Sequence, residues 1–591
     1  MAISGDVRFP ESTLLRNARP LEPAQSWSDF IALTLAQLGA RSAFGIPGGP
    51  IADLFQAFFR SKEIQTVLCQ HEAGAAFAAM GYTLYSPTGA LGVCFGTSGP
   101  GLTNLITGVA AAHQERVPIF VITGNISTDV LGKGAVQDSF HTGIDGLRML
   151  ESVVCASVSL TGHEDPSKVV TALYQKALEE RLPVHLNIPA NVGRKLESFK
   201  TSAPTEKEKR SPKDQSTHES VIGRFLSSER PMIFAGNGVK TARASALLKQ
   251  VAELHSVPVV VSSHGKGAFS EESPCFQGTF GVASPQFGRE FWEQYSPTAI
   301  LYLGTALGEC SSNAWSNLPG QAELKIHVDL DISRMNSMYK MDVSIRADLR
   351  HFLEEMTAAR PLRNSSQLPP RRIRTDSTGT AVQPGKVNPA ALMDALEFSL
   401  PQDAILFTDI GNSMLWAINC LTLTDKQEFY VPMGFGSMGS GIGAAIGAKA
   451  ALPNRPVVCL AGDCASLMSG AELFTARNHG FGIKLIVLND GGHGTVDHGY
   501  SMQGLTDYNV RFDQPVSFSH YATALGVRSY SVKSGAELLA LPLSEILSSA
   551  EPVLLEVCID PAVRPPLGSR VRGLGIPGIA EPTKMTQKSF H

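Results

Sequence analysis

The apolar run Val457–Ala461 ends in Gly462-Asp463-Cys464, and the run Ile483–Leu488 ends in Asn489-Asp490-Gly491-Gly492. Each run reads as a strand, so each sets a carboxylate at a strand's C-terminal end. The first turn opens a helical pattern, ASLMSGAELFTARNHG. Two hard oxygen donors there suit Mg²⁺, which prefers a few carboxylates plus phosphate oxygens to an all-protein cage. The helix N-terminus would offer backbone N–H groups to the same phosphate. Neither turn holds a Lys or Arg, so a metal ion and backbone dipoles would have to neutralise the anion. Taken alone, Asp463 reads equally well as a helix N-cap.

A second acidic group stands in Gln70-His71-Glu72-Ala73-Gly74-Ala75-Ala76, after the short run Thr66–Leu68. A glutamate opening a small-residue helix is either a surface residue favoured by the helix dipole or a carboxyl sequestered from water, where the neutral acid is favoured and its hydrogen bonds strengthen. His493 and His498 follow the second acidic turn. They are surface loop residues on one reading and acid–base groups on the other. Met438, in Gly434-Phe435-Gly436-Ser437-Met438-Gly439, is by itself a packing residue.

The elements that must position these groups follow one rhythm, a short Val/Ile/Leu run and then a helical pattern. The runs are Ser42–Phe44, Leu91–Phe95, Ile119–Thr123 and Val184–Ile188, then Met232–Ala235, Val257–Ser262 and Ala299–Leu303, then Ala404–Thr408, Val457–Ala461, Ile483–Leu488 and Val553–Val557. Runs that do not alternate suit strands buried on both faces, and strands separated by helices imply parallel sheets. The chain is therefore expected to be α/β, with three doubly wound parallel-sheet domains at 26–196, 220–360 and 389–561. Polar, Pro-bearing stretches at 197–219 and 361–388 read as linkers, 1–25 as an N-terminal extension and 562–591 as a tail.

A formal net charge of −4 gives no case for binding nucleic acid or an anionic membrane. Nine cysteines without CxxC spacing suggest neither a zinc site nor a disulfide framework. No signal peptide or membrane span is legible, so a cytoplasmic location is expected.

Several motifs in order resemble those of the thiamine-diphosphate-dependent enzymes, in the acetohydroxyacid (acetolactate) synthase-like branch, over nearly the whole chain. The two acidic turns resemble that superfamily's Gly-Asp-Gly and Asn-Asn signature, with Cys464 and Asp490 at the altered positions. The resemblance implies three domains: pyrimidine-binding, central and diphosphate-binding. It implies that Asp463, Asp490 and the Gly492 carbonyl hold Mg²⁺, and that Gly462, Cys464, Ala465, His493 and Gly494 border the cofactor. Glu72 would bond the cofactor's N1′ and drive the imino tautomer that removes the thiazolium C2 proton. Phe44-Gly45-Ile46-Pro47-Gly48-Gly49 resembles the first-strand turn, placing Gly48 and Gly49 on the cofactor and Ile46 and Pro50 on the substrate pocket. Thr97-Ser98-Gly99-Pro100-Gly101, with Thr103 and Asn104, resembles the glycine-rich segment, and Ala135-Val136-Gln137-Asp138 the glutamine loop, with Gln137 orienting substrate. Gly411-Asn412-Ser413 stands at a diphosphate position. Gly436 and Met438 stand at the pyrimidine turn, Met438 as the wedge that bends the cofactor. Glu72 and Met438 meet across a subunit interface in that family, so a homodimer or homotetramer is implied.

The departures concern the acceptor. A family lysine is Ala190, a phenylalanine is Val136, and Gly-Met-Val-Arg-Gln-Trp is Gly494-Thr495-Val496-Asp497-His498-Gly499. Thr495 and Val496 would line the pocket with Gly499. The shortened side chains at 190, 136 and 499 would enlarge it, which points to a carbonyl acceptor bulkier than pyruvate. The expected activity is a carboligase that decarboxylates a 2-oxo acid, pyruvate first, and forms an acyloin. The alternatives are non-oxidative decarboxylation, true acetolactate synthesis and a silent cofactor-binding protein. Decarboxylation alone lacks the His-His pair of pyruvate decarboxylases. FAD in the central block is left open by Gly236-Asn237-Gly238 and His327-Val328-Asp329. The family's arginine is missing from Gly304–Glu309, which counts against it.

Overall fold

The β-branched and leucine-rich runs form the inner strands of three six-stranded sheets, all parallel. The structure, a computed structural model, describes residues 26–196, 215–362, 368–370, 382–568 and 571. The described residues form two compact units, one running to 196 with 443–453, the other from 215 to 442 and from 454 onward.

In the first unit lie β1 (Ser42–Gly45), β2 (Gln65–Leu68), β3 (Gly92–Gly96), β4 (Ile119–Asn125), β5 (Ala156–Ser159) and β6 (Val184–Pro189), in the order β2-β1-β3-β4-β6-β5. The second unit holds two sheets. The first comprises β7 (Pro231–Ala235), β8 (Val259–Ser262), β9 (Phe276–Phe280), β10 (Ala299–Leu303), β11 (Leu324–Asp329) and β12 (Val343–Arg346), ordered β12-β11-β10-β7-β8-β9. The other comprises β13 (Ile405–Thr408), β14 (Glu428–Tyr430), β15 (Val457–Gly462), β16 (Ile483–Asn489), β17 (Arg528–Val532) and β18 (Val553–Cys558), ordered β14-β13-β15-β16-β18-β17. The first and third orders are the same topology.

Parallel strands are covered by helices on both faces, which is why β3, β4 and β16 are buried along their whole length. Two side chains mark how firmly the third sheet closes on its core. Leu567 and Val571, in the segment read as a tail, are buried in its core cluster. Val387, at the end of the second expected linker, bridges Ile559 and donates its N–H to Cys558 O at 2.9 Å. These residues correct the linker and tail readings, because apolar side chains isolated in polar sequence still found a core. The first linker also ends early. A helix begins at Gln215, and His218 meets Glu355 at 3.0 Å and lies edge-on to Phe352. The expected extension 1–25, most of the first linker, most of 361–388 and the end of the tail lie outside the described residues. Among the described residues no helix is long and apolar enough to cross a membrane.

Candidate cofactor and metal site

In an open parallel sheet, ligands bind where neighbouring strands lead their chains in opposite directions. In the third sheet that crevice lies at the ends of β13 and β15, which are neighbours although β14 intervenes in sequence. Both ends carry an acid, Asp409 and Asp463.

Asp463 is buried and is the first residue of the helix Asp463–Ser469; the N-cap is Gly462. Its side chain does not cap the helix. Oδ1 accepts from Cys464 N–H at 2.7 Å, and Oδ2 accepts from Gly491 and Gly492 N–H at 2.8 and 2.9 Å. One carboxylate thus ties the two acidic turns together. β15 and β16 pair directly, so Asp490 emerges beside it. Burial pushes the Asp490 carboxyl up to about 7, and the Asp463 charge adds to the rise. Burial also raises Asp463, against the pull of its backbone partners. Two adjacent carboxyls raised in this way are what a divalent cation would relieve, and two carboxylates with a backbone carbonyl suit Mg²⁺. Among the described residues no cluster of three or more His, Cys, Asp and Glu side chains could hold a metal, so the third ligand would have to be a backbone or ligand oxygen.

The turn is not without a cation. Arg511 donates to Asp490 O at 2.9 Å, lies 3.5 Å from Asp490 Oδ1 and donates through Nε to Asp497 Oδ2 at 2.9 Å. Backbone bonds bring it there, because Gly492 bridges Arg511 and His493 N–H donates to Val510 O at 2.9 Å. No spacing rule in the sequence signals this return of the chain.

Asn412, opening the helix Asn412–Cys420, accepts from Thr495 Oγ1 at 2.9 Å, and its amide nitrogen lies 3.4 Å from His498 Nδ1. Gly411 has φ +130°, and a Cβ on Gly494 would overlap Asp490 Oδ2, so both positions require glycine. Ser413 is buried and spends its hydroxyl on Asp409 O at 3.1 Å. Cys464 and Ala465 are buried beneath the turn, and burial pushes the Cys464 thiol up to about 12. Gly462 and Gly436 have open space where a Cβ would stand. Met438 is half-buried in the turn after Gly436. Thr495 is half-buried, Val496 is exposed, and Gly499 is buried with nothing within 4 Å of an added Cβ.

The two histidines differ. His493 is half-buried, edge-on to Phe512. His498 is 4% exposed, with Nε2 2.8 Å from Pro561 O. Nε2–H donating to that carbonyl leaves Nδ1 to accept from Asn412, and burial holds the ring below its usual range. Both nitrogens are engaged. These bonds tie the helix Gly494–Met502 to Asn412 and Pro561.

In the first unit, Glu72 opens the helix Glu72–Tyr85 and is 6% exposed. Asn104 Nδ2 donates to Glu72 Oε2 at 2.9 Å, which fixes the carboxyl. The crevice of this sheet lies at the ends of β1 and β3. A Cβ on Gly48 would stand 2.5 Å from Thr97 Oγ1, while Gly49 is open. Thr97 Oγ1 and Ser98 Oγ are buried without a hydrogen-bond partner in the described residues. Ile46 and Pro50 sit at the end of β1 and Ala190 just beyond β6, so all three border the same sheet edge. Gln137 has φ +63° and packs on Gly99, whose N–H donates to Ser139 Oγ at 2.6 Å. Its neighbour Val136 is 85% exposed.

The central crevice, between β7 and β10, is differently furnished. Gly236 and Gly238 donate their N–H groups to Leu303 O and Gly304 O, both at 2.9 Å, and a Cβ on Gly236 would overlap Gly304 O. The donors that a dinucleotide's diphosphate would need are spent on the neighbouring strand end, and the segment Gly304–Glu309 brings no cation. These residues do not fit a flavin diphosphate.

Three family models match in order: the N-terminal binding domain of thiamine pyrophosphate enzymes over 25–148, the central domain over 219–356 and the C-terminal binding domain over 409–557. The acetolactate synthase isozyme 2 large subunit of Escherichia coli (strain K12) is 28% identical over 541 residues, 90% of this chain and 95% of that protein. A probable acetolactate synthase large subunit of Methanocaldococcus jannaschii is 28% identical over 583 residues, 94% of this chain and 96% of that protein. In fold, the chain matches the thiamine diphosphate-dependent 4-hydroxybenzoylformate decarboxylase of Rhodococcus jostii RHA1 with a TM-score of 0.78 at 21% identity, over 90% of this chain and 99% of that one. The chain belongs to the thiamine pyrophosphate enzymes, in their acetolactate synthase-like branch.

Proposed function

We propose that the enzyme is a carboligase that takes a 2-oxo acid, pyruvate first, and passes its acyl unit to a carbonyl acceptor bulkier than pyruvate, giving an acyloin and CO₂. Thiamine diphosphate, when bound, supplies the electron sink for both halves of this reaction. The chain's own residues bind, orient and move protons. Asp463, Asp490 and the Gly492 carbonyl would hold Mg²⁺ on the diphosphate, with Asn412 and Ser413 beside it. Glu72, steadied by Asn104, holds a proton at the pyrimidine's N1′. Gln137 orients the donor, and Ala190, Val136, Thr495, Val496 and Gly499 border the acceptor.

The observation that carries the reading is Gly499, a helical position with no atom within 4 Å of an added Cβ. Space at this position favours a large acceptor. Simple decarboxylation needs a proton donor in its place, and His498 is committed to Asn412 and Pro561. Supporting a homodimer with shared sites, Phe435, Leu467 and Met468 are 47%, 49% and 60% exposed beside the cofactor turns, an apolar surface that a partner subunit would cover.

Incubation with pyruvate and a panel of aldehydes and ketones, with CO₂ and products followed by mass spectrometry, tests the reading. An acyloin larger than acetolactate is expected. Acetaldehyde alone, or acetolactate as the preferred product, would contradict it.

A further inference from the structure

Asp409 stands at the end of β13 with its side chain wholly inside the protein. Such a carboxylate is costly unless paired or hydrogen-bonded. Among the described residues, no cation is a hydrogen-bond partner of Asp409. Oδ1 accepts from its neighbour Ile410 N–H at 2.9 Å and from Gly439 N–H at 2.8 Å, and Oδ2 accepts from Gly441 N–H at 2.9 Å. Burial nevertheless pushes the carboxyl up to about 6. The main chain of the same residue is also engaged: its N–H donates to Leu460 O at 2.7 Å, and its carbonyl accepts from Ser413 Oγ at 3.1 Å.

Apart from the bond to its own neighbour Ile410, these bonds lead to three cofactor segments. Leu460 lies on β15, two residues before Gly462-Asp463. Ser413 belongs to the diphosphate turn. Gly439 and Gly441 close the turn that carries Gly436 and Met438. The last contact is tight, since a Cβ on Gly441 would stand 2.7 Å from Thr408 O. Gly439 has φ +87°, so the turn enters its helix through a conformation that side-chain-bearing residues avoid.

We propose that Asp409 is a positioning residue that locks the Gly436–Met438 turn to the metal and diphosphate turns, and so sets the bent shape of the cofactor without touching it. A residue needed only for stability would be better replaced by a neutral group. A buried carboxylate suits two N–H donors converging from one turn, because bonds to an ionised acceptor are about twice as strong as neutral ones. The inference rests on the cofactor reading for what the turns hold, whereas the lock itself is a property of the cofactor-free chain.

The experiment therefore has two arms. In the cofactor-free protein, hydrogen–deuterium exchange by mass spectrometry should show Asp409→Asn losing protection over residues 436–442, because an amide offers only one accepting oxygen. In the full enzyme saturated with Mg²⁺ and thiamine diphosphate, C2–H exchange of the bound cofactor should slow by about tenfold or more, the effect of weakening one charged hydrogen bond. The near-ultraviolet circular dichroism of its aminopyrimidine should change, while Mg²⁺-dependent retention of the cofactor persists. Gly441→Ala, which displaces the same turn and leaves the carboxylate intact, should reproduce both the slowing and the dichroism. Unchanged C2–H exchange and dichroism in both variants at saturation would overturn the proposal, as would equal loss of retention and exchange. A parent enzyme that retains no thiamine diphosphate would instead contradict the cofactor reading, and lost turn protection in Asp409→Asn would still show the lock.

Discussion

Asp463 and Asp490 perform different work although both are acids at strand ends. Asp463 spends both oxygens on the backbone of two turns, so Asp463→Ala should both remove a ligand and leave three N–H groups unpaired. Asp490 is tied instead to Arg511, and its carboxyl is raised by burial and then by its acidic neighbour. Asp490→Asn keeps a hard oxygen and removes a charge. Calorimetric titration with thiamine diphosphate and Mg²⁺ should find binding lost in Asp463→Ala and in Asp490→Ala, but kept within about tenfold in Asp490→Asn, a change of roughly 1.4 kcal/mol or less. Equal loss in Asn and Ala would show that charge rather than coordination is what matters at 490. These acids and Glu72 were legible because each stands out in its local sequence, at a strand end or in a run of Ala and Gly. Arg511 and Asp409 were not, since the bonds that recruit them join segments far apart in the chain. His498 reads as loop in the sequence because glycines stand close by at 494 and 499, whereas here it lies in a helix against Pro561.

At the level of elements, the inner strands were readable except β11, whose apolar residues alternate with Lys325 and His327, and the edges were not. β5 and β17 are half-exposed over most of their length and β12 alternates between exposed and covered residues, so none forms a continuous apolar run. β9 is fully buried yet carries Gln277 and Gly278, which broke its pattern. Even a legible strand concealed polarity. β6 reads as apolar, but His185 and Asn187 face the side opposite its core residues. His185 bonds Thr123 of β4 and Ser157 of β5, both at 2.8 Å, and joins three strands. Burial pushes this histidine down to about 3. A base depressed in the fold contributes stability above its unfolded value near 6.5, and that contribution is lost as pH falls toward 3. At pH 4 the loss is on the order of 3 kcal/mol. Between pH 7 and pH 4, the parent should therefore lose more unfolding stability than His185→Gln, as urea unfolding would measure. Parallel losses in the two proteins would show that His185 does not resist protonation. On the helix Gly494–Met502, Gly499→Trp should suppress ligation to a bulky acceptor while sparing donor decarboxylation. Overpacking costs about 1–3 kcal/mol, roughly a five- to hundredfold loss if it falls on the acceptor alone. Following CO₂ and acyloin in one assay separates the two, and equal loss of both would remove Gly499 from the acceptor pocket.

At the level of the whole molecule, the first and third sheets share one strand order, and each opens its crevice between the corresponding strands. Glu72 belongs to the first and the two acidic turns to the third. If a site is completed by two subunits, Glu72→Gln and Asp463→Ala should each be inactive alone. Co-expressed, they should regain a sizeable fraction of activity, because one site of a mixed dimer is then intact. No recovery in a verified mixed dimer would place both residues of a site on one chain. Every such experiment depends on Glu72 activating the cofactor, and deuterium exchange at C2 of bound thiamine diphosphate measures that step before any substrate enters. In the parent enzyme with Mg²⁺ the exchange should be fast. In Glu72→Gln, at equal occupancy, it should slow by about a hundredfold or more, the range in which a positioned acid–base group contributes. Exchange at the parent's rate in Glu72→Gln would contradict the account.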